Sequence, residues 1–392
     1  MARLPCLIVS MSFAAVLGAQ LSLPARADEP AVVKTLLDAY ALNLNVRPTY
    51  KSIDTASDGS ITVNGFSFAY PEGMNFQYDV EKIVLKGVTE MPGKGFEVAD
   101  ASYDGLTFKL AGQMVAAIPA ITMSGLSVRA VPENPTTFQK TFASSSLAHE
   151  TTIPEVVVLI GDKSLSVKNI HMTFEGDPWA YNGTQHVTLG ELAVPDEILA
   201  MAGDQVPLKQ LGYTTLSFSS DSTVKFDLTP QSLSFDMNLG LTGKDMGTIR
   251  IAANIADIPM ALVEAAQQGK ENEDPAKLLA LSNNISVSGL SLSFSDASLT
   301  NRLLDFFAAA QKMDRAQMIA TAAATVQLSL TELKNQDFTN KVIAAVNAFL
   351  SSPGSISIDA APAPIKVEQV MQASQDPAAL MSLLQVDVKA NQ

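Results

Sequence analysis

Two periods divide the chain. Val32, Val33, Leu36, Leu37 and Tyr40 recur at helical spacing and predict a helix ending near Asn43-Leu44-Asn45, before Pro48. From about residue 50 the period becomes two. Three segments there, Ile61–Phe68, Ile121–Val128 and Ile285–Leu292, share the pattern Ile-[Ser/Thr]-apolar-[Asn/Ser]-Gly-apolar-Ser-apolar. Ile83–Thr89 is a looser copy, and Leu165–Met172 places Asn169 where the others have Gly.

The motif has a geometric meaning. Ile61 and Val63 share one face of a strand, because side chains alternate. Phe66 and Phe68 share a face of the opposite parity. One extra residue, a β-bulge, returns all four to the same side. Such a residue adopts positive φ, which Gly tolerates best and Asn next best. The repeat therefore predicts curved antiparallel sheets, apolar on one face and lined with Ser, Thr and Asn on the other. Two arrangements follow. The apolar faces close into a solid core of ordinary strand pairs, or they stay open as a groove for a hydrophobic ligand. In the second case Phe66, Phe68, Leu126, Val128, Leu290 and Leu292 are the ligand-contact candidates.

Further strands are predicted at Val156–Ile160, Val187–Leu189, Leu216–Phe218, Val224–Leu228, Leu233–Met237 and Ile249–Ile251, the last four reading as a meander. Short helices are expected at about Pro195–Met201 and Ile258–Gln268, and one more starts at Pro275 behind the acidic stretch Glu271–Asp274. The last hundred residues turn helical. Asp296-Ala297-Ser298 caps a helix with Leu299, Leu303, Phe306 and Phe307. Asp314 caps a second, with Met318, Ile319, Ala322 and Val326, and a third runs from Phe338 to Leu350. Pro353-Gly354 stops it. Ile356 and Ile358 form a strand, Pro362 and Pro364 enforce extended backbone, Asp376-Pro377 starts a last helix, and Val386 and Val388 form a final strand.

Candidate chemistry is sparse. The three histidines are His149, His171 and His186. The last two lie in strand-like contexts that a hairpin could bring together, with Glu175 or Asp177 near, but the spacing matches no zinc motif. Ser222-Thr223-Val224-Lys225 matches Ser-x-x-Lys, yet lies on a strand, where Ser and Lys point to opposite faces. Carboxylates are numerous and dispersed, which leaves a hydrolase unsupported. Trp179, near Asp177-Pro178 and Tyr181, could sit on a sugar or at a lipid interface, but reads first as a core or loop-packing residue. The sequence implies no catalytic residue, metal or cofactor.

Composition changes the picture at two points. With 26 Lys+Arg against 40 Asp+Glu, the chain lacks the basic footprint of a nucleic-acid binder. Residues 1–27 read as a secretory signal peptide: Arg3, an apolar run from Leu4 to Leu23, then Ala25-Arg26-Ala27 as the cleavage site. Its removal takes Arg3, Arg26 and the only cysteine, Cys6. That leaves 24 cations against 40 acids and no disulfide chemistry. The runner-up reading of this segment is an uncleaved inner-membrane anchor. No later run is long enough to span a membrane.

The repeated strands, the segment Asp296-Ala297-Ser298-Leu299-Thr300-Asn301-Arg302-Leu303-Leu304 and the ending from Ala360 through Asn391 resemble exported proteobacterial envelope proteins. The YdgA-like periplasmic family is similar, as are AsmA-like proteins in strand pattern. The resemblance implies an envelope location and, for the AsmA-like proteins, a lipid-associated β-groove; it brings no catalytic residues. The expected fold is α+β, with curved antiparallel sheets and a helical C-terminal part packed on them. The expected organisation is a signal peptide at 1–27, an N-terminal helix at 28–48, a β-rich body at 49–295 with modules at 49–190 and 213–295, and a helical part at 296–392. The expected function is a non-catalytic periplasmic protein binding a lipid or other hydrophobic molecule. The alternatives are a structural adaptor with a closed core, acting through envelope protein partners, and a hydrolase.

Overall fold

The computed structural model describes residues 29–44, 46–70, 75–134, 147–201, 210–213, 215–267, 275–333, 335–361 and 363–391. The predicted signal peptide, the Glu271–Asp274 stretch and Pro362 lie outside them. The period-two segments are antiparallel strands and the 3.6-period segments are helices, mostly C-terminal, which gives the α+β class. In chain order the elements are α1 (Ala31–Leu44), β1 (Ser52–Thr55), β2 (Ile61–Ala69), β3 (Phe76–Met91), β4 (Gly95–Leu110), β5 (Gln113–Arg129), β6 (Leu147–Ile160), β7 (Lys163–Asp177), β8 (Asn182–Val194) and α2 (Asp196–Met201). There follow β9 (Leu216–Leu228), β10 (Ser232–Gly243), β11 (Gly247–Pro259), α3 (Met260–Gln267), α4 (Pro275–Ser282), β12 (Ser286–Asp296), α5 (Leu299–Gln311), α6 (Arg315–Leu330), α7 (Gln336–Ser351), β13 (Ser355–Ala360), β14 (Ile365–Lys366), α8 (Val367–Ala373), α9 (Pro377–Leu384) and β15 (Asp387–Ala390). Among the described residues no helix is long and apolar enough to cross a membrane.

The chain forms two compact units. Unit 1 takes the chain up to His149, with 229–232 and 259–281. Unit 2 takes 150–228, 233–258 and 282–392. The division does not follow the modules expected at 49–190 and 213–295. Strand β8 pairs directly with β9, Leu192 opposite Phe218. In unit 1, strands β1 to β5 lie in chain order, each antiparallel to the next. In unit 2 the order runs from β6 to β13 and then β15, with β14 also on β12.

The motif glycines behave as their pattern requires. Gly65, Gly87, Gly125 and Gly289 have φ of 58 to 61°, and Asn169 has φ 56°. The buried positions of β2 are Ile61 and Val63, then Phe66 and Phe68, so the alternation flips at Gly65. The structure corrects the single-strand bulge, however. An ordinary bulge sets two residues against one and shifts the register. Here Asn64 faces Lys82 and Phe66 faces Val80, so Glu81 stands opposite Gly65 and the register is unchanged. The next strand continues the line with Gly105, φ 66°. A second line joins Gly87, Ala99 and Gly125 across β3, β4 and β5.

Each line is a crease: every strand it crosses spends one residue at the same level, so the apolar side chains stay on one side. Unit 2 has a crease through Pro154, Asn169 and Gly190. It ends as an unequal bulge where Gly190 and Glu191 together oppose Ser219. Another unequal bulge sets Gly289 and Leu290 against Ala253.

A crease leaves no space for an added methyl. A Cβ on Gly87 would stand 2.7 Å from the Ala99 Cβ, on backbone that L-residues avoid. Gly87→Ala is expected to cost at least ~1–2 kcal/mol from the left-handed conformation alone. Gly59→Ala, at φ +81° with open space around it, isolates the backbone part. Urea denaturation should therefore find Gly87→Ala the less stable of the two.

The helices start where the sequence marks them. Asp314 accepts from the Gln317 amide at 2.8 Å, and Gln317 Oε1 accepts from the Asp314 amide at 3.1 Å, a reciprocal cap. Asp376 accepts from the Ala378 amide at 3.0 Å, with Pro377 in the first turn of α9. Before α5 the roles are redistributed. Asp296, rather than Ser298, caps by accepting from the Thr300 amide at 2.7 Å. Ser298 Oγ instead donates to the Asp245 carbonyl at 2.5 Å and lies 2.9 Å from the Tyr213 hydroxyl.

Candidate functional site

The six apolar candidates fall in two different environments. Phe66, Phe68, Leu126 and Val128 are 1 to 3% exposed and lie in the core of unit 1. Helix α1 covers that core, lying against β4 and β5. It buries Val32, Val33, Leu36, Leu37 and Ala39, and sets the Tyr40 ring 5.9 Å from Phe66 and 6.5 Å from Tyr78. Leu290 and Leu292 lie in unit 2, the first half-buried and the second exposed. Four of the six thus belong to unit 1 and two to unit 2.

A charged clasp holds α1. Arg47, just past the helix, reaches back to Glu29, just before it, at 2.6 and 3.3 Å, and to Asp38 at 3.2 Å. The Tyr50 hydroxyl donates to Glu29 at 2.8 Å. Burial pushes the Glu29 carboxyl up, but the hydrogen bonds from Arg47 and Tyr50 outweigh it and hold the pKa below the ordinary 4.5. The ionised clasp therefore stabilises the folded state above pH 4.5, and that contribution is lost as the pH falls through the lower folded value. Arg47→Met is expected to flatten this acid limb. Hydrogen exchange of the α1 amides between pH 6 and pH 3 measures it; equal acid sensitivity in wild type and variant would exclude the clasp as its cause.

Unit 2 presents the contrast, an apolar face left open. Its register can be followed strand by strand. Ile251 faces Leu292, and Leu292 faces Ile358. Ile249 faces Phe294, which faces Ile356. The Thr242 and Thr248 hydroxyls meet at 2.9 Å on the opposite face, which places Leu241 opposite Ile249 and Leu239 opposite Ile251. In the other direction Leu241 and Leu239 face Ser220 and Ser222. Those face Leu189 and Val187, then Ile170 and Met172, and on β6 Ile153 and Thr151. Two adjacent rows thus cross eight strands, roughly 34 Å at the usual strand spacing.

Leu241, Ile249, Ile251, Leu292 and Ile358 are 42 to 49% exposed and neighbour one another in these rows. Among the described residues, helices close only the margins. Phe349 of α7 meets Phe294 at 6.2 Å, and Val342 and Ala345 cover Val388. At the hairpin end, Leu299, Leu303 and Phe306 of α5 pack on Leu211, Tyr213, Leu216 and Met246. Arg302 stacks over the Tyr213 ring at 4.2 Å and donates to the Leu211 carbonyl at 2.9 Å.

The opposite face carries the charges, and they pair among themselves. Arg250 reaches across Gly240 to Asp221 at 3.0 and 3.4 Å. A Cβ on Gly240 would lie 2.5 Å from Asp221 Oδ1, so a larger residue there would push the carboxylate aside. Ser291 donates to Asp359 at 2.7 Å, and Lys389 lies 3.5 Å from Asp359 and 3.4 Å from Asp387. His171 and His186 share this face on neighbouring strands but hold different partners, Glu150 at 2.8 Å and Thr223 at 3.0 Å. Among the described residues no group of three or more His, Cys, Asp and Glu is placed to hold a metal ion. Ser222 and Lys225 lie on β9 three residues apart and face opposite ways. Trp179 sits in the β7–β8 turn, its amide donating to Asp177 at 2.8 Å.

The open face could have been sought in the alternation of β10 and β11, where Leu239, Leu241, Ile249 and Ile251 occupy the odd positions. Whether a helix covers them is not written in that alternation. Residues 240–391 match the model of a family described only as an uncharacterized protein. Comparison with curated proteins finds no match.

Proposed function

We propose that the protein is a non-catalytic envelope protein that holds the acyl chain of a lipid on the open apolar face of unit 2. The observation that carries the reading is the cluster of Leu241, Ile249, Ile251, Leu292 and Ile358, half in water on one continuous face. Together they leave roughly 400 Å² of aliphatic surface exposed, comparable to the largest patch of a typical monomer. That is about half of the ~800 Å² per partner that a stable protein interface buries. It suits a hydrocarbon chain better than a second folded surface. The side chains offer no charge, acid or base, so the face supports binding without chemistry. An envelope location follows from reading residues 1–27 as an export signal and from the resemblance to exported envelope proteins. The YdgA-like and AsmA-like assignments belong to the same proposal.

The adaptor reading draws on one observation, the closed core of unit 1, and would use other surfaces. The hydrolase reading gains nothing, since Asp221 and Asp359 are engaged by cations. Native mass spectrometry of the purified protein, with lipid extraction, tests the proposal. A co-purified lipid, or uptake of added phosphatidylglycerol, is the expected result. A clean apo mass with no uptake would leave the adaptor reading standing.

A further inference from the structure

Strand β9 breaks its own pattern. Its even positions are Leu216, Phe218, Ser220, Ser222, Val224, Phe226 and Leu228, and its odd positions are Ser, Asp, Thr and Lys. Ser220 and Ser222 therefore stand on the apolar face. They have Leu189 and Val187 on one side and Leu241 and Leu239 on the other. Both are half-buried, and neither hydroxyl has a hydrogen-bond partner among the described residues. On the opposite face Ser291 donates to Asp359; what sets Ser220 and Ser222 apart is their aliphatic neighbours. Two unused hydroxyls flanked by aliphatic side chains are a poor surface for pure hydrocarbon, because each would lose water without replacement. They suit a molecule that brings an acceptor to that point.

We infer, resting on the function proposed above, that the bound molecule carries an ester or amide linkage with apolar segments on both sides. The linkage is seated at Ser220 and Ser222. One segment lies over β10 to β13, roughly 14 Å at the usual strand spacing, and the other over β8 to β6, about 10 Å. The hydroxyls donate to the carbonyl oxygen, and no bond is made or broken. A peptide is a poor occupant: its backbone would need the donors and acceptors of a sheet edge, and this is the face of a sheet.

The test uses the purified protein with two probes of similar length, decyl hexanoate and heptadecane. Each is titrated against a bound anilinonaphthalene fluorophore. Wild type is expected to bind the ester about tenfold or more tightly than the alkane. The double variant Ser220→Ala/Ser222→Ala should lose about ten- to thirtyfold in ester affinity, and each single variant about fivefold, the usual effect of one hydrogen bond. Alkane affinity should be unchanged or higher in all three. Equal ester and alkane affinity in wild type, or full ester affinity in the double variant, would overturn the inference and leave the apolar site intact. Failure of wild type to bind either probe would remove the proposed function and this inference with it. Thermal melts of the variants should match wild type, since both serines are half-buried and carry no internal hydrogen bond.

Discussion

Replacing Phe68 by alanine is expected to lower the unfolding free energy by about 3–5 kcal/mol, the usual cost of deleting a buried aromatic side chain. Phe68 is 1% exposed. Its ring stands edge-on to Tyr70 at 4.9 Å and stacked on Tyr78 at 5.2 Å. Tyr78 in turn contacts Phe66 at 5.9 Å and Phe108 at 6.2 Å. Collapse into the vacated space would have to move this aromatic chain or α1, which the Arg47 clasp holds at both ends. Leu292→Ala should cost far less, about 1 kcal/mol, because half of that side chain is already in water. Urea denaturation of the two variants measures the difference. Equal costs would mean that the faces of the two units do not differ in burial as described.

The second large effect concerns binding. Leu292→Asp is expected to weaken acyl-chain binding at least thirtyfold, because a carboxylate in the row Ile251–Leu292–Ile358 must lose water with no cation beside it. Folding should be nearly unaffected, since the site is half exposed. Leu292→Asn separates polarity from charge and should lie between the two. Isothermal titration with phosphatidylglycerol micelles, alongside thermal melts, gives both quantities. Unchanged affinity in the aspartate variant would place the ligand elsewhere; matching losses of affinity and stability would reveal a structural role instead.

Much of the fold was legible because its signals are local. The parity change between Val63 and Phe66 required an extra residue, and Gly65 and Asn169 supplied the backbone freedom. The Asp314–Gln317 cap and Pro377 marked helix starts within a few residues. The creases were not legible, because only alternate strands flag them. Glu81 and Ala99 take the same extra step without glycine, so only pairing reveals them. The candidate site divided for a similar reason. Phe68 and Leu292 occupy equivalent motif positions, and nothing within the motif says which copy lies under a helix. Val32, Val33 and Leu37 declared α1 amphipathic, but its target is tertiary information. The open rows of β10 and β11 alternated like any half-buried strand. Ser220 and Ser222 share the parity of the apolar residues of β9, but only the register shows Leu189 and Val187 on one side of them and Leu241 and Leu239 on the other.

The creases also bear on strand slippage. In a plain sheet a slip of one residue inverts the faces, but a slip of two restores them and is penalised only by end effects. Across a crease neither slip is tolerated. A two-residue slip of β4 against β3 would bring Gly105 out of line with Glu81 and Ala99 out of line with Gly87. Between the displaced levels, apolar residues would face the wrong side. Two creases in one hairpin act like two pins in a hinge plate: one pin fixes position, and the second makes any shifted alignment fail twice. Long strands of β-branched and serine-rich sequence, which would otherwise offer several near-equivalent pairings, are thereby confined to one.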